Sequence, residues 1–548
     1  MKKYVFYSAL FFIVLTGMAF FISNADQEKV SKKLNLFSSV FKILRAEFVD
    51  TLDSEILIRR AIDGMVKSVD PHTVFFDSIE TIERENVWRG INYSGIGARV
   101  FYKDSSVIIL SPIEGYGAQL NDLRAGDIYI NVDGQSLKWK SLDSTVKLLR
   151  GPPETIVNIV VERPYVGIIQ KKIVRKQIIT KSVPYYAMID SVTGYIQVQQ
   201  FLRGASIQFL DAVADLKKNT KLSSIIIDLR DNIGGLVEEA VNCLNVFVPK
   251  NTLILNVKGK ATDYNNITLN DPLDTLMPLV ILTNKNTVSA GEIFTGSMQD
   301  LDRAVVIGQK TFGKGLVQGT RFPGYGTSLY LTAARYFTPS GRCIQKRDYS
   351  QKYINGKESM FPDSLKKVFY TRNGRKVYDI GGVEPDIKLE PIQESAPILV
   401  ALKKGSLIFD FATYYRNTKE IIGSADKFIV TDNVFREFLC FVEKRKAAFK
   451  FPEELKLIEF EELSKNNNTI SLFDKKYKSL YRQVVQSKNQ MFIQNKDEIK
   501  KALKDEILGR YYNNTGQMQY KIQTDLEVIQ AQKILSNIKS YFLVLGKK

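Results

Sequence analysis

The chain has 548 residues, 44% of them hydrophobic, 25% charged and 11% aromatic. That balance excludes a disordered or low-complexity protein and leaves room for roughly three or four folded domains. The 77 lysines and arginines outnumber the 59 acids for a formal charge of +18, but they are spread along the chain and no nucleic-acid-binding motif is present, so nucleic acid is not an expected partner.

The first element reads as an export signal. Lys2 and Lys3 precede YVFYSALFFIVLTGMAFFISNA, which carries no charge before Asp26. Residues 4–25 are long for a cleaved signal and about long enough to span a bilayer, while Ser23-Asn24-Ala25 offers a cleavage site. Cleaved signal and uncleaved membrane anchor both fit, and either leaves the rest of the chain exported, to the periplasm or cell envelope. Residues 26–90 read as helical, with Leu34, Phe37, Val40, Phe41 and Leu44 near helical spacing and Asp70-Pro71 as a stop. Residues 91–177 change to short β-rich runs (VIIL, IYINVDG, TIVNIVVERP) with glycine turns and one helical stretch, LDSTVKLLRG.

From about 190 strands and helices alternate. GYIQVQQF, SSIIIDLRDN, MPLVILTN and AVVIGQ are expected strands; SIQFLDAVADLKK, GGLVEEAVNCLNVF and SAGEIFTGSMQDL are expected helices. The continuous apolar runs are those of strands buried on both faces, so an α/β core is expected. Beyond about 395 strand signals fade, and stretches such as KDEIKKALKDEILGRYY predict helices. Cys243, Cys343 and Cys440 are widely spaced with no CxxC, which argues against a disulfide framework and a structural zinc site.

The chemistry centres on two stretches. Ser289 stands between the apolar run PLVIL and an expected helix, where the first N–H groups lack intrahelical partners and favour an anion. Thr287 and Ser289 are equally natural helix caps. Asn232-Ile233-Gly234-Gly235 forms a second strand-to-helix turn. The two turns are expected side by side at strand ends, where open α/β sheets bind ligands, and together they would supply two oxyanion donors. The lone histidine, His72, lies in the N-terminal helical region and reads as structural, although a histidine-dependent hydrolase would have to use it. A neutral lysine serves as a base too. Lys314 stands between Gly313 and Gly315, which permit close backbone approach. If GKGLVQ is extended, Lys314, Leu316 and Gln318 share a face, and Gln318 orients the lysine. A helix cap and a solvated lysine in a glycine turn remain the plain alternatives.

TVSAGEIF, MQDLDRAVVIGQKTFGKGLVQ and DLRDNIGGL resemble the carboxyl-terminal processing peptidases, or tail-specific proteases. FKILRAEFVD and AIDGMVKSVDPHTVFFD are similar to that family's N-terminal helical region, YSGIGARV and LRAGDIYINVDGQSL to its PDZ domain, and ARYFTPSGRCIQ and GGVEPDI to the end of its protease core. The resemblance covers about residues 35–390 in the family's order. It implies a Ser–Lys dyad with Ser289 as nucleophile, Lys314 as base and Gln318 orienting the lysine. It also implies an oxyanion hole from the backbone N–H groups of Gly235 and Ala290, and no metal or cofactor. Asp300 matches an aspartate discussed as catalytic in some members. Eleven residues of helix put it about 16 Å from Ser289, so it reads as structural. The PDZ resemblance implies that Gly95, Ile96 and Gly97 hold a substrate's C-terminal carboxylate with the peptide added as a strand; the plain alternative is a β-turn.

The expectation is therefore an α/β peptidase core of crotonase-like type with an inserted β-rich PDZ domain and helical N- and C-terminal regions. The divisions are 1–25 signal or anchor, 26–90 helical, 91–177 PDZ, 178–395 peptidase core and 396–548 helical extension. The expected function is a serine endopeptidase cleaving near the C-terminus of exported proteins, the alternative a non-catalytic PDZ scaffold. Expected partners are substrates with free C-termini, with an adaptor or activator and a homo-oligomer as further possibilities. Segment 345–380 receives no role. The extension 396–548 lies outside the resemblance and reads as a partner-binding or oligomerisation domain or a scaffold.

Overall fold

The computed structural model describes residues 27–350, 356–357, 359–390, 396–445, 452–466 and 470–547. The expected signal or anchor at 1–25 lies outside the described residues. Among those described, no helix is long and apolar enough to cross a membrane. They divide into two units. One comprises the described residues up to Asp77 with Gly319–Thr332 and Tyr349–Lys357. The other comprises Ser78–Gln318, Ala333–Asp348 and the remainder of the chain.

In the first unit a helix at 27–47 is followed by Ser54–Val69, which starts where the Asp53 carboxylate accepts the N–H groups of Glu55 and Ile56. It stops at Asp70, whose carboxylate accepts the N–H groups of His72 (2.6 Å) and Thr73 (2.8 Å). Pro71 has no N–H to continue the helix. The expected helical region is interrupted here by a strand, Val74–Phe76, paired antiparallel with Ser328–Tyr330. The β-branched and aromatic run VFF, freed by the Asp70 turn, takes the conformation it favours. His72 meets Tyr349 edge-on, with Nε2 3.5 Å from its hydroxyl. Both belong to this unit; Ser289 belongs to the other.

The second unit contains a β-rich domain in which Ala98–Lys103, Ser106–Pro112, Ile128–Val132, Ile156–Arg163 and Gly167–Val174 form an antiparallel sheet. Its own core includes Ile109, Tyr129, Val157, Val161 and Ile173. Ile91–Gly95, which leads in, pairs with Lys176–Ile179, which leads out. The chain therefore leaves the domain where it joined it.

The central sheet of this unit orders Tyr185–Met188, Thr193–Gln197, Ser224–Asp228, Leu279–Thr283, Val305–Gly308 and Ile387–Lys388, all parallel after the first pair. Successive side chains of Ser224–Asp228 point to opposite faces, and both are buried. Ile225 and Ile227 pack with helices Ala205–Leu216, Val237–Leu244 and Ala290–Asp300. Ile226, with Val280 and Leu282, packs under Val528, Ala531, Leu535 and Tyr541. Thus helices from residues 522–545, which sequence placed in a separate extension, cover the second face of the sheet, as a parallel sheet requires. The described residues between 396 and 520 build a further helical core around Leu402, Phe411, Phe438 and Leu503. It is tied to the β-rich domain by Lys103–Asp410 (2.6 Å) and by Thr413, which occupies the space a Cβ on Gly126 would need.

In segment 345–380, strand Arg347–Asp348 pairs with Ser359–Met360, and Val368–Tyr370 forms a hairpin with Lys376–Tyr378. Residues 351–355 and 358 lie outside the described residues. The hairpin is pinned by Arg375 to Asp302 (2.6 Å) and by Asn373 to the Leu545 carbonyl (2.7 Å).

Candidate active site

The register of the parallel strands aligns their carboxyl ends: Asp228 opposite Leu282, and Thr283 opposite Gly308. Each strand then runs directly into a segment singled out by sequence, 229–235, 284–289 and 309–314. Topology alone therefore brings Gly235, Ser289 and Lys314 to one edge of the sheet.

The first two turns are stitched together. Val288 N–H donates to the Asn232 carbonyl (2.8 Å), and Thr287 Oγ1 to the Leu229 carbonyl (2.8 Å). Gly234 and Gly235 have φ of 93° and 144°. A Cβ on Gly234 would stand 2.9 Å from Ser289 Cβ, and one on Gly235 2.2 Å from the Phe201 carbonyl oxygen. Glycine is thus required at both, and these φ values keep them out of the helix, which starts at Val237 rather than at 234. Among the described residues no carbonyl accepts the N–H of Gly235 or of Ala290, the first residue of its helix.

Ser289 caps the helix Ala290–Asp300 with φ 55° and ψ −114°, not the extended conformation of an ordinary cap. A non-glycine residue so placed is strained, and such strain clusters at functional sites. The turn is held by Glu292, which sequence reasoning missed. Its fully buried carboxylate accepts Ser289 N–H (2.9 Å) and Lys314 N–H (2.8 Å) on Oε2, and Thr311 Oγ1 (2.6 Å) and Gly313 N–H (2.6 Å) on Oε1. The Ser289 and Lys314 backbone nitrogens are therefore no farther apart than two hydrogen bonds end to end. Burial pushes the Glu292 carboxyl above its usual range, against the pull of the four bonds it accepts. The signal for it was present: Ser-x-x-Glu is the capping-box pattern. Its second duty, gripping residues 311–314, is long-range and invisible locally.

Lys314 is half-buried. Gly313 (φ 92°) would place a Cβ 2.6 Å from Lys346 Cβ, and Gly315 one 2.8 Å from the Gln345 nitrogen. The close approach expected at these glycines is present. The condition that GKGLVQ be extended is met from Leu316 onward, where the strand carrying Gln318 begins. Before it, Gly313 has a φ of 92° and Gly315 N–H donates to the Gln345 side chain (2.7 Å). Asp300, at the far end of the helix, is buried and pairs with Arg342 (2.7 Å) and the Thr338 hydroxyl.

In the β-rich domain Gly95 ends its strand, Ile96 is buried, and Gly97 (φ 76°) abuts Tyr116, which a Cβ would meet at 2.3 Å. The Ile96 and Gly97 carbonyls accept Ala118 and Ile113 N–H, whereas among the described residues no carbonyl accepts their own N–H groups. Beside them lies a mostly apolar pocket of about 140 Å³ lined by Tyr93, Ile96, Ala98, Val100, Val146, Leu149 and Arg150.

Comparison with known proteins gives two family matches: peptidase family S41 over residues 192–352, and the C-terminal helical domain of a probable PDZ-protease over residues 398–535. The chain is 32% identical over 476 residues to a probable CtpA-like serine protease of Staphylococcus aureus strain N315, covering 84% of this chain and 86% of that protein. It is 31% identical over 352 residues to a carboxy-terminal-processing protease of Bartonella bacilliformis, covering 63% and 80%. The solved photosystem II D1 C-terminal processing protease aligns with 24% identity and a TM-score of 0.36 over 64% of this chain and 85% of that one.

Proposed function

We propose, on the premise that this chain belongs to peptidase family S41 and is a serine peptidase of the carboxy-terminal-processing kind, that Ser289 is its nucleophile and Lys314 its general base. Neutral Lys314 Nζ takes the Ser289 proton as Oγ bonds to the scissile carbonyl carbon. The carbonyl π pair moves onto oxygen, which the N–H groups of Gly235 and Ala290 receive. The C–N bond breaks, and the leaving amine takes the proton from Lys314. Water, losing a proton to the same lysine, cleaves the acyl ester and returns Ser289. Gln318 orients the lysine. The observation that carries this reading is the strained Ser289 turn, packed against Gly234 and sharing one Glu292 oxygen with the Lys314 backbone. Casein or an unfolded peptide incubated with the wild type and with Ser289→Ala tests it. Hydrolysis is expected only with the wild type; equal hydrolysis by both would sink it.

The finer features belong to the same proposal: a crotonase-like core, a β-rich domain acting as an inserted PDZ module, and export of enzyme and substrates. Export rests on Lys2, Lys3 and the apolar run after them. The Gly95–Gly97 N–H groups would hold a terminal carboxylate while the adjoining pocket takes its apolar side chain. Amidating a substrate's C-terminus removes that charge. Charge-assisted hydrogen bonds are worth about 1.5–3 kcal/mol, or roughly a tenfold to hundredfold loss. The measurement is kcat/KM for paired peptides, free acid against amide, ending in apolar residues. Equal values would leave the peptidase standing and remove the tail-specific part.

A further inference from the structure

The C-terminal helices meet the peptidase core not only across the apolar sheet face but at one charged point beside the turn that carries Gly235. Arg230, two residues beyond the end of strand Ser224–Asp228, is mostly buried. Its guanidinium is forked onto Asp228 (Nε 2.9 and 3.0 Å from the two oxygens), and the Asp228 carboxylate also accepts the Tyr195 hydroxyl (2.6 Å). Its remaining nitrogen, NH1, reaches Asp525 Oδ2 (2.7 Å) and Glu527 Oε2 (2.7 Å), nearly 300 residues later in the chain. Asp525 does double duty, since its other oxygen caps helix Leu526–Ser536 by accepting Glu527 and Val528 N–H.

What Arg230 holds leads straight to the nucleophile. The Leu229 carbonyl, one residue away, accepts Thr287 Oγ1 (2.8 Å). The Asp231 carboxylate accepts the side chains of Asn284 (3.0 Å) and Asn286 (2.8 Å). The Asn232 carbonyl accepts Val288 N–H, and Gly234 packs on Ser289 Cβ. Every residue from 229 to 234 except Arg230 and Ile233 thus contacts segment 284–289 directly, and Arg230 is the one gripped from the C-terminal helices. Docking does not call for this. Val528, Ala531, Leu535 and Tyr541 already bury an apolar face, and the Tyr541 hydroxyl bonds both Leu279 N (2.9 Å) and Leu279 O (3.1 Å) at the opposite end of its strand. Taking two more carboxylates out of water at the strand end carries a cost that docking of the apolar face does not require.

We propose that Asp525 and Glu527 are positioning residues for the peptidase site, acting through Arg230 on the Leu229–Gly235 turn. The C-terminal domain is then part of the working active site rather than an appendage. This rests on the reading of Ser289 and Gly235 given above.

The test uses the full chain. Asp525→Asn keeps the helix cap and Glu527→Gln keeps the shape, so each removes charge with little else. The double variant is expected to lose about tenfold to hundredfold in kcat on a short peptide, the size of effect that follows an ångström-scale misplacement, with KM within twofold of wild type. Asp525→Asn alone, the gentler change, is expected to show a smaller loss of the same kind, and Glu527→Asp is expected to recover part of the activity. Tyr541→Phe, which loosens the same domain away from the turn, is the control, and its kcat is expected to stay near wild type at a comparable loss of Tm. Wild-type kcat in the double variant would overturn the inference, as would an equal fall in kcat for Tyr541→Phe. Failure of the Ser289 reading is distinguishable, because Ser289→Ala would then be as active as wild type.

Discussion

Lys314→Arg is expected to fold as the wild type does and to hydrolyse peptide about 10²–10⁴-fold more slowly, the contribution of a general base. Arginine keeps a long cationic side chain like that of protonated lysine, and the residue's backbone duty is untouched because it is the Lys314 N–H that bonds Glu292. What it removes is the capacity to be neutral: a guanidinium stays protonated at any pH an enzyme works at, so it cannot accept the Ser289 proton. The double variant Ser289→Ala/Lys314→Arg should be no slower than Ser289→Ala alone, since groups acting as one unit are not additive. The measurements are kcat/KM on one peptide for the three proteins and a thermal unfolding curve for each. Wild-type turnover in Lys314→Arg would take this lysine out of the mechanism, and an additive loss in the double variant would separate it from the serine.

Which parts of this arrangement were legible in sequence follows from how local their signals are. Ser289 and Gly234-Gly235 announce themselves because a buried apolar run followed by small residues marks a strand feeding a helix, and the parallel register then has no freedom but to set those turns together. Lys314 is legible through its flanking glycines, each of which faces another segment too closely for a Cβ. The strand at Val74–Phe76 was hidden because residues 26–90 read as a continuous helical pattern on either side of Asp70-Pro71. The cover of the sheet's second face was half legible. The run SIIID requires burial on both sides, but an amphipathic helix does not name the surface it will cover, so nothing in residues 526–541 points to Ile226 and Val280. Asp525 and Glu527 read as the acidic first turn of a helix, which they are. Their partner Arg230 is set by tertiary folding alone.

Glu292→Gln is the second large effect expected, and it separates the geometry of the site from its chemistry. The Glu292 carboxylate has four donors on two oxygens and no exposure to water. Glutamine offers one oxygen and turns an NH₂ toward donors that need an acceptor. If the amide oxygen takes the place of Oε1, the N–H groups of Ser289 and Lys314 are both left facing NH₂; if it takes the place of Oε2, the Gly313 N–H is, while the Thr311 hydroxyl can turn to accept from the NH₂. Each orphaned buried donor costs about 1–3 kcal/mol, so a loss of roughly 1–3 kcal/mol of stability is expected in the second orientation and roughly 2–6 kcal/mol in the first. Activity should fall about a hundredfold or more, because the strained Ser289 turn and the Lys314 loop no longer share an anchor. Thr311→Val distinguishes the two oxygens. It removes one donor to Oε1, and an acceptor for the Val383 N–H, but leaves Oε2 with both site amides. It should therefore lower the urea midpoint while costing much less in kcat. A Glu292→Gln enzyme with wild-type midpoint and turnover would mean that the serine turn and the lysine loop hold their places without this carboxylate.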